Sequence, residues 1–262
     1  MKKYPLFQVD VFTSELFGGN PAAVCLLADW LPDHLMQAIA AENNLSETAF
    51  VVPQGEAYGI RWFTPKLEIQ LAGHPTVGAA HVLFTERGEG RRRIEFHSPA
   101  GVLPVERRDG RLWLDMPAAA PQPVPAPDNL ARGLGCTPLE VFRDRDYLVR
   151  LEREEDVLAL RPDFQVLSAV ECLGVMVTAP GQRCDFVSRF FAPAAGVNED
   201  PVTGSAHAML VPYWAERLNR STLLARQLSS RGGTLHCEAA GERVRVGGEC
   251  VTYLRGEIGL PD

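Results

Sequence analysis

The sequence is poor in lysine. Of its 26 basic residues only Lys2, Lys3 and Lys66 are lysines, and two of these lie at the extreme N-terminus, where order is poorest. A Schiff-base mechanism therefore has one weak candidate. The sequence also lacks an excess of positive charge. Its 33 acidic residues leave a net charge of −7, so the electrostatic footprint that phosphate backbones require is missing and nucleic acid is not an expected partner. The one basic run, Arg91-Arg92-Arg93, leads into Ile94 and Phe96 with alternating polar residues and reads as the charged start of an exposed strand. No stretch approaches the ~20 apolar residues of a membrane span, and Gln8 and Asp10 interrupt what would be the apolar core of a signal peptide. The six cysteines are scattered with no Cys-x-x-Cys pair, and only His236-Cys237 puts a thiol beside an imidazole. Reduced thiols in a cytoplasmic protein without a metal site are expected.

What is present is an ordinary globular composition, 46% hydrophobic and 23% charged over 262 residues, enough chain for one large domain or two modest ones. An internal repeat favours two. Arg61-Trp62-Phe63-Thr64-Pro65 recurs as Arg189-Phe190-Phe191-Ala192-Pro193. His74-Pro75-Thr76-Val77-Gly78-Ala79-Ala80-His81 recurs as Asp200-Pro201-Val202-Thr203-Gly204-Ser205-Ala206-His207. Ser98, Gly101, Leu103, Glu106, Arg111 and Leu114 are answered by Ser230, Gly233, Leu235, Glu238, Arg243 and Val246. Between the copies the proline-rich run from Pro117 to Pro127 resists both helix and central strand and marks a boundary. The expected division is residues 1–118 and 119–262, two similar halves related by an approximate two-fold axis, with a ligand site between them.

Within the first half, Phe7–Phe12, Ala22–Leu27, Ala49–Val52 and Gly59–Phe63 are short β-branched or aromatic runs and read as strands, and Arg108-Asp109-Gly110 reads as a hairpin turn. Pro32–Glu42 has helical spacing of Leu35, Met36, Ile39 and Ala40. The longest helix of each half is expected from Gly73 or Pro75 to about Phe84, and from Pro201 to about Leu218; small residues early in each would let it sink against a sheet. The fold class is α+β, each half a curled, mostly antiparallel sheet around one central helix.

The repeat puts His74 and Asp200 in equivalent places, each just before a proline that suits a first helical turn. Two helix N-termini offered to one ligand would suit an anion or a developing negative charge, with Ala72, Gly73, Gly78, Gly204 and Ser205 letting it approach the backbone. Taken alone, Asp200 reads as a helix cap. His81 and His207 are equivalents too, and read better as hydrogen-bonded core histidines than as metal ligands. In Asn44-Leu45-Ser46-Glu47-Thr48-Ala49-Phe50, strand alternation would hold Glu47 against apolar surface, where a carboxylate can serve as general base and return the proton as an acid; a turn glutamate in water is the alternative.

These stretches, with Asp10-Val11-Phe12-Thr13, Phe17-Gly18-Gly19-Asn20-Pro21-Ala22-Ala23-Val24, Gly73-His74-Pro75-Thr76 and Glu199-Asp200-Pro201-Val202-Thr203-Gly204-Ser205, resemble the PhzF family of phenazine-biosynthesis isomerase-like proteins over nearly the whole chain. The resemblance implies the diaminopimelate epimerase fold and a homodimer. It also implies a cofactor-independent proton transfer between carbons of a small carboxylate, with Glu47 as general acid/base, His74 and Asp200 assisting, and Ser46, Gly73, Gly204 and Ser205 holding the substrate. Relatives often have Cys-Gly-His where this chain has Ala72-Gly73-His74, and both helix starts lack cysteine, which argues against two-thiol racemisation. Epimerisation by two bases, Glu47 with either His74 or Asp200, and a catalytically silent ligand-binding protein are the alternatives.

Overall fold

The computed structural model describes residues 1–260. The chain divides into two compact units, Met1–Met116 with the segment from Val246 onward, and Pro117–Arg245. The first unit opens with β1 (Lys2–Val11), β2 (Asn20–Leu26), α1 (Asp33–Asn43), β3 (Glu47–Gln54), β4 (Ala57–Phe63) and β5 (Glu68–Ile69). It continues with α2 (Gly73–Glu86), β6 (Arg93–Ser98), β7 (Gly101–Arg108) and β8 (Arg111–Pro117). Pairing runs β1–β2 antiparallel, β2–β3 parallel, β3–β4 antiparallel, β4–β6 parallel, then β6–β7 and β7–β8 antiparallel. The β7–β8 turn is the expected hairpin, with Asp109 and Gly110 both at positive φ, 53° and 75°, as a tight two-residue turn requires.

The second unit repeats this order. Its elements are β9 (Gln122–Pro123), α3 (Asp128–Leu134), β10 (Glu140–Arg143), β11 (Tyr147–Arg150), α4 (Glu154–Ala159), α5 (Phe164–Leu167), β12 (Val175–Pro180), β13 (Phe186–Ala192) and β14 (Val197–Asp200). After these come α6 (His207–Leu218), β15 (Thr222–Gln227) and β16 (Gly233–Ala240), and β17 (Arg243–Gly248) runs across the boundary at Val246. Here β10–β11 is antiparallel, β11–β12 parallel, β12–β13 antiparallel, β13–β15 parallel and β15–β16 antiparallel, the sequence of senses found in the first unit. The repeat read from the residues is therefore a repeat of topology.

Two expectations are corrected. The last strand, β18 (Cys250–Leu260), belongs to the first unit and not the second, because it pairs antiparallel with β1 from Lys2↔Leu260 to Val11↔Cys250. The helix expected from Pro201 begins later. Pro201–Thr203 is not helical, Gly204–Ala206 forms a 3-10 turn, and α6 starts at His207, because Asp200 and Thr203 bond to each other ahead of it. The short helices α3, α4 and α5, of 7, 6 and 4 residues, were not anticipated, being too short to show a helical period.

Helix α2 carries the core of the first unit, with eleven of its residues from Gly73 to Phe84 buried. Gly78 explains how closely it lies on the sheet: a Cβ there would be 3.3 Å from Val11 Cγ2 and 3.6 Å from the Ala22 Cβ. In the second unit Trp214 of α6 stacks on Phe186 at 5.6 Å and donates from Nε1 to Thr178 Oγ1 at 3.0 Å, so the helix is registered by both an apolar and a polar contact. Among the described residues no helix is long and apolar enough to cross a membrane. Gly78→Leu should overpack the α2–sheet contact and lower the unfolding free energy by about 1–3 kcal/mol, read as a reduced urea midpoint with unchanged slope.

Candidate active site

The parallel pairing of β2 with β3, Ala22 opposite Glu47, brings the starts of both strands side by side. Asn20 opens β2, Ser46 and Glu47 lie at the mouth of β3, and the first turn of α2 delivers Gly73 and His74 to the same place. The loop before α2 is fixed by Arg61, whose Nε and Nη2 grip Glu68 at 2.7 Å each while Nη1 reaches Asp33 at 2.9 Å. Glu47 Oε2 stands 3.3 Å from His74 Nε2, with the two side chains 16% and 5% exposed. A turn glutamate in water is thus excluded: Glu47 is mostly buried, and Thr48, Ala49, Phe50, Val51 and Val52 after it are buried on both faces of the strand.

His74 is neutral. Burial lowers its pKa from 6.5 to about 3, with the Pro21 carbonyl acting weakly the other way. Asn20 Nδ2 lies 3.2 Å from His74 Nδ1, and Ser46 Oγ donates to Asn20 Oδ1 at 3.5 Å. An amide donating to Nδ1 leaves the ring proton on Nε2, facing the carboxylate. The 3.3 Å contact is long for a hydrogen bond, as such contacts commonly are before substrate tightens them. In the sequence Asn20 stands only within the Phe17–Val24 motif, and nothing local marks the bond that its buried amide makes to His74.

The α2 N-terminus has Ala72 at its cap position with no side-chain hydrogen bond, so no side chain of its own cap occupies the first-turn amides. Gly73, at that turn, is buried and presents backbone alone.

In the second unit Asp200 ends β14 and is 9% exposed. It is no helix cap: its Oδ2 accepts from Thr203 Oγ1 at 2.5 Å, and the following 3-10 turn is headed by Thr203. Its neighbour Glu199 is gripped by Arg189 at 2.7 and 2.9 Å, the counterpart of the Arg61 pair. Gly204 and Ser205 form the turn that follows, Gly204 buried and Ser205 partly so. The unit thus groups Asp200, Gly204 and Ser205, as the first groups Ser46, Glu47, Gly73 and His74. His74 and Asp200 occupy different local structures, one inside a helix and one at a strand end, so the repeat aligns them in sequence but not in conformation.

Glu47 has no twin. Thr48 pairs with Phe63, and Val175 pairs with Phe191, the repeat partner of Phe63; the residue matching Glu47 is therefore Gly174. A Cβ on Gly174 would run into the Phe190 ring, so a side chain there would require that ring to move. The cysteines offer no alternative base. Burial pushes the thiols of Cys25 and Cys250 up to about 12 and those of Cys172 and Cys184 to about 11, and raises those of Cys136 and Cys237 as well. His81 and His207 are the hydrogen-bonded histidines expected, held by Thr252 Oγ1 and the Thr203 carbonyl at 2.9 Å each. Among the described residues no group of three or more His, Cys, Asp or Glu is placed to hold a metal ion.

The mixed sheet and the repeated order of its strands and helices are those of the α+β, diaminopimelate epimerase-like fold. The chain belongs to the phenazine biosynthesis-like (PhzC-PhzF) family, whose model matches residues 9–256. It is 55% identical over 254 residues to a Pseudomonas aeruginosa protein named as an uncharacterized isomerase, covering 97% of each chain. A crystal structure of a PhzF-family phenazine biosynthesis protein from Enterococcus faecalis superposes with a TM-score of 0.95 at 46% identity, covering 99% of this chain and all of that one. The fold extends to a hydroxyproline epimerase from Agrobacterium vitis, with a TM-score of 0.66 at 11% identity over 99% of this chain and 93% of that one.

The buried neutral histidines set a pH dependence. Folded His74 and His207 hold pKa values of about 3 and about 4, below the unfolded value of 6.5. Between these values the unfolded state binds more protons, so stability is fully present above about pH 6.5 and is lost as pH falls through the window. Thermal melts should show a constant midpoint from pH 8 to 7 and a decline from pH 6.5 to 5, above the carboxylate range. That decline should be shallower in His74→Gln.

Proposed function

We propose that the chain is a cofactor-independent isomerase that moves a proton between carbons of a small carboxylate substrate. Glu47 takes the proton from one carbon and returns it to another, and the carboxylate is regenerated at the end of the cycle. The observation that carries this reading is the Glu47–His74 contact. A neutral imidazole beside the mostly buried carboxylate can donate from Nε2 without fixing it permanently as an anion. A cationic histidine in that position would hold Glu47 ionised and oppose its protonation.

Charge that develops on the substrate as the proton leaves is met by the amides of the α2 first turn at Gly73, where the helix dipole favours it. Ser46 and Gly73, and in the second unit Gly204 and Ser205, are assigned to the substrate's carboxylate and ring substituents, and Asp200 to assisting the transfer, as the family resemblance implies. The absence of a side chain at Gly174 supports one acid/base rather than two. The raised thiols oppose two-thiol epimerisation. We assign the protein to the cytoplasm as a homodimer.

The test is NMR in deuterated water with a dihydro-hydroxyanthranilate and a panel of small carboxylates. Wild type should incorporate deuterium at carbon, and Glu47→Gln should lose about 10²–10⁴-fold in rate with an unchanged melting temperature. Equal rates in the two proteins would remove Glu47 from the mechanism. Binding without exchange in wild type would replace the enzyme reading with a ligand-binding one.

A further inference from the structure

Every polar group of Thr203 is engaged. Its amide donates to Gln227 Oε1 at 2.8 Å, its carbonyl accepts from His207 Nδ1 at 2.9 Å, and its hydroxyl donates to Asp200 Oδ2 at 2.5 Å while accepting from Gln227 Nε2 at 3.2 Å. The same Gln227 Nε2 donates to the Asp200 carbonyl at 2.7 Å. One amide side chain, 1% exposed at the end of β15, therefore ties both ends of the segment from Asp200 to Thr203. Its orientation is fixed, since exchanging its oxygen and nitrogen would set an NH₂ against the Thr203 N–H. A hydroxyl carries one hydrogen, and with Gln227 donating to the oxygen that hydrogen goes to Asp200.

We propose that Gln227 is a positioning residue for Asp200, acting through Thr203 to commit Oδ2 as an acceptor and to fix the direction of the carboxylate. The proposal rests on the reading that Asp200 assists the proton transfer. It goes beyond a staple for the fold for two reasons. The residue matching Thr203 in the first half is Val77, which has no hydroxyl to give, so the arrangement accompanies the aspartate and not the repeat. And the carboxamide meets three partners at once, the Thr203 N–H, the Asp200 carbonyl and the Thr203 hydroxyl, so it sets the orientation of the hydroxyl as well as the place of the backbone.

The experiment uses the full chain with Gln227→Met, Thr203→Val, Thr203→Ser and Asp200→Asn. In the ligand-free protein the side-chain carboxyl ¹³C resonance of Asp200, assigned by its loss in Asp200→Asn, should move in Thr203→Val and Gln227→Met and return to the wild-type position in Thr203→Ser. Gln227 reaches Asp200 by two routes, the Thr203 hydroxyl and the Asp200 backbone carbonyl; a shift shared by Thr203→Val and Gln227→Met is the part carried by the hydroxyl. With a dihydro-hydroxyanthranilate as probe, kcat for deuterium exchange should fall about 10- to 100-fold in Gln227→Met and Thr203→Val, with KM within about twofold, and Thr203→Ser should recover it. An Asp200 resonance that stays in place in both Gln227→Met and Thr203→Val, whatever their melting temperatures, overturns the proposal. If Gln227→Met does not fold, Gln227→Glu takes its place, since it keeps an acceptor for the Thr203 N–H and removes the donor to the Thr203 hydroxyl, and an Asp200 resonance unmoved in it overturns the proposal. Absence of exchange in wild type would count against the proposed reaction alone, and the carboxyl resonance would still decide the positioning role.

Discussion

The account depends on one contact, a carboxylate set against a neutral imidazole where little water reaches. Each partner constrains the other. Burial makes protonated His74 too costly, so the ring stays neutral. A neutral ring can point only one nitrogen as a donor, and Asn20 decides which. That choice rests in turn on backbone: β2 and β3 run parallel with Ala22 opposite Glu47, so Asn20, Ser46 and Glu47 meet at one end of the sheet. Gly78 lets helix α2, which carries His74, lie close on the sheet, where an added Cβ would come within 3.3 Å of Val11 Cγ2.

The duplication supplies scaffold rather than chemistry. Both units use the same order of parallel and antiparallel neighbours, and both lock the approach to the critical residue with a bidentate Arg–Glu pair, Arg61–Glu68 and Arg189–Glu199. The reactive groups have diverged. One unit has a glutamate and a histidine at the start of a helix; the other has an aspartate on a strand end and a glycine where the glutamate would be. Phe190 fills the space that a side chain at Gly174 would need, so the asymmetry is built into packing.

Much of this was legible in the residues. The repeat was visible because the short blocks around Arg61 and Arg189 keep their spacing, α1 because its apolar positions follow a helical period, and α2 because Gly73 and Pro75 open a run of small and then large apolar residues. Glu47 was legible as a carboxylate among apolar neighbours, although its strand begins at Glu47 itself and both faces are buried, so simple alternation did not describe its surroundings. Other features left no local trace. The return of β18 to β1 joins residues at opposite ends of the chain, and nothing within Cys250–Leu260 names its partner. The delayed start of α6 follows from a side-chain bond between Asp200 and Thr203, where Pro201 by itself suggested a first helical turn. Asn20 and Gln227 act through buried hydrogen bonds to residues distant in sequence, which periodicity and propensity do not encode.

The central claim, a neutral and oriented imidazole beside Glu47, is open to direct observation. Nitrogen-15 NMR of the histidine side chains between pH 5 and 8, with His74 assigned by its loss in His74→Gln, reads both ring charge and tautomer. The structure predicts a ring that does not titrate across this range and carries its proton on Nε2. A His74 that titrates near pH 6.5, or that holds its proton on Nδ1, would contradict it.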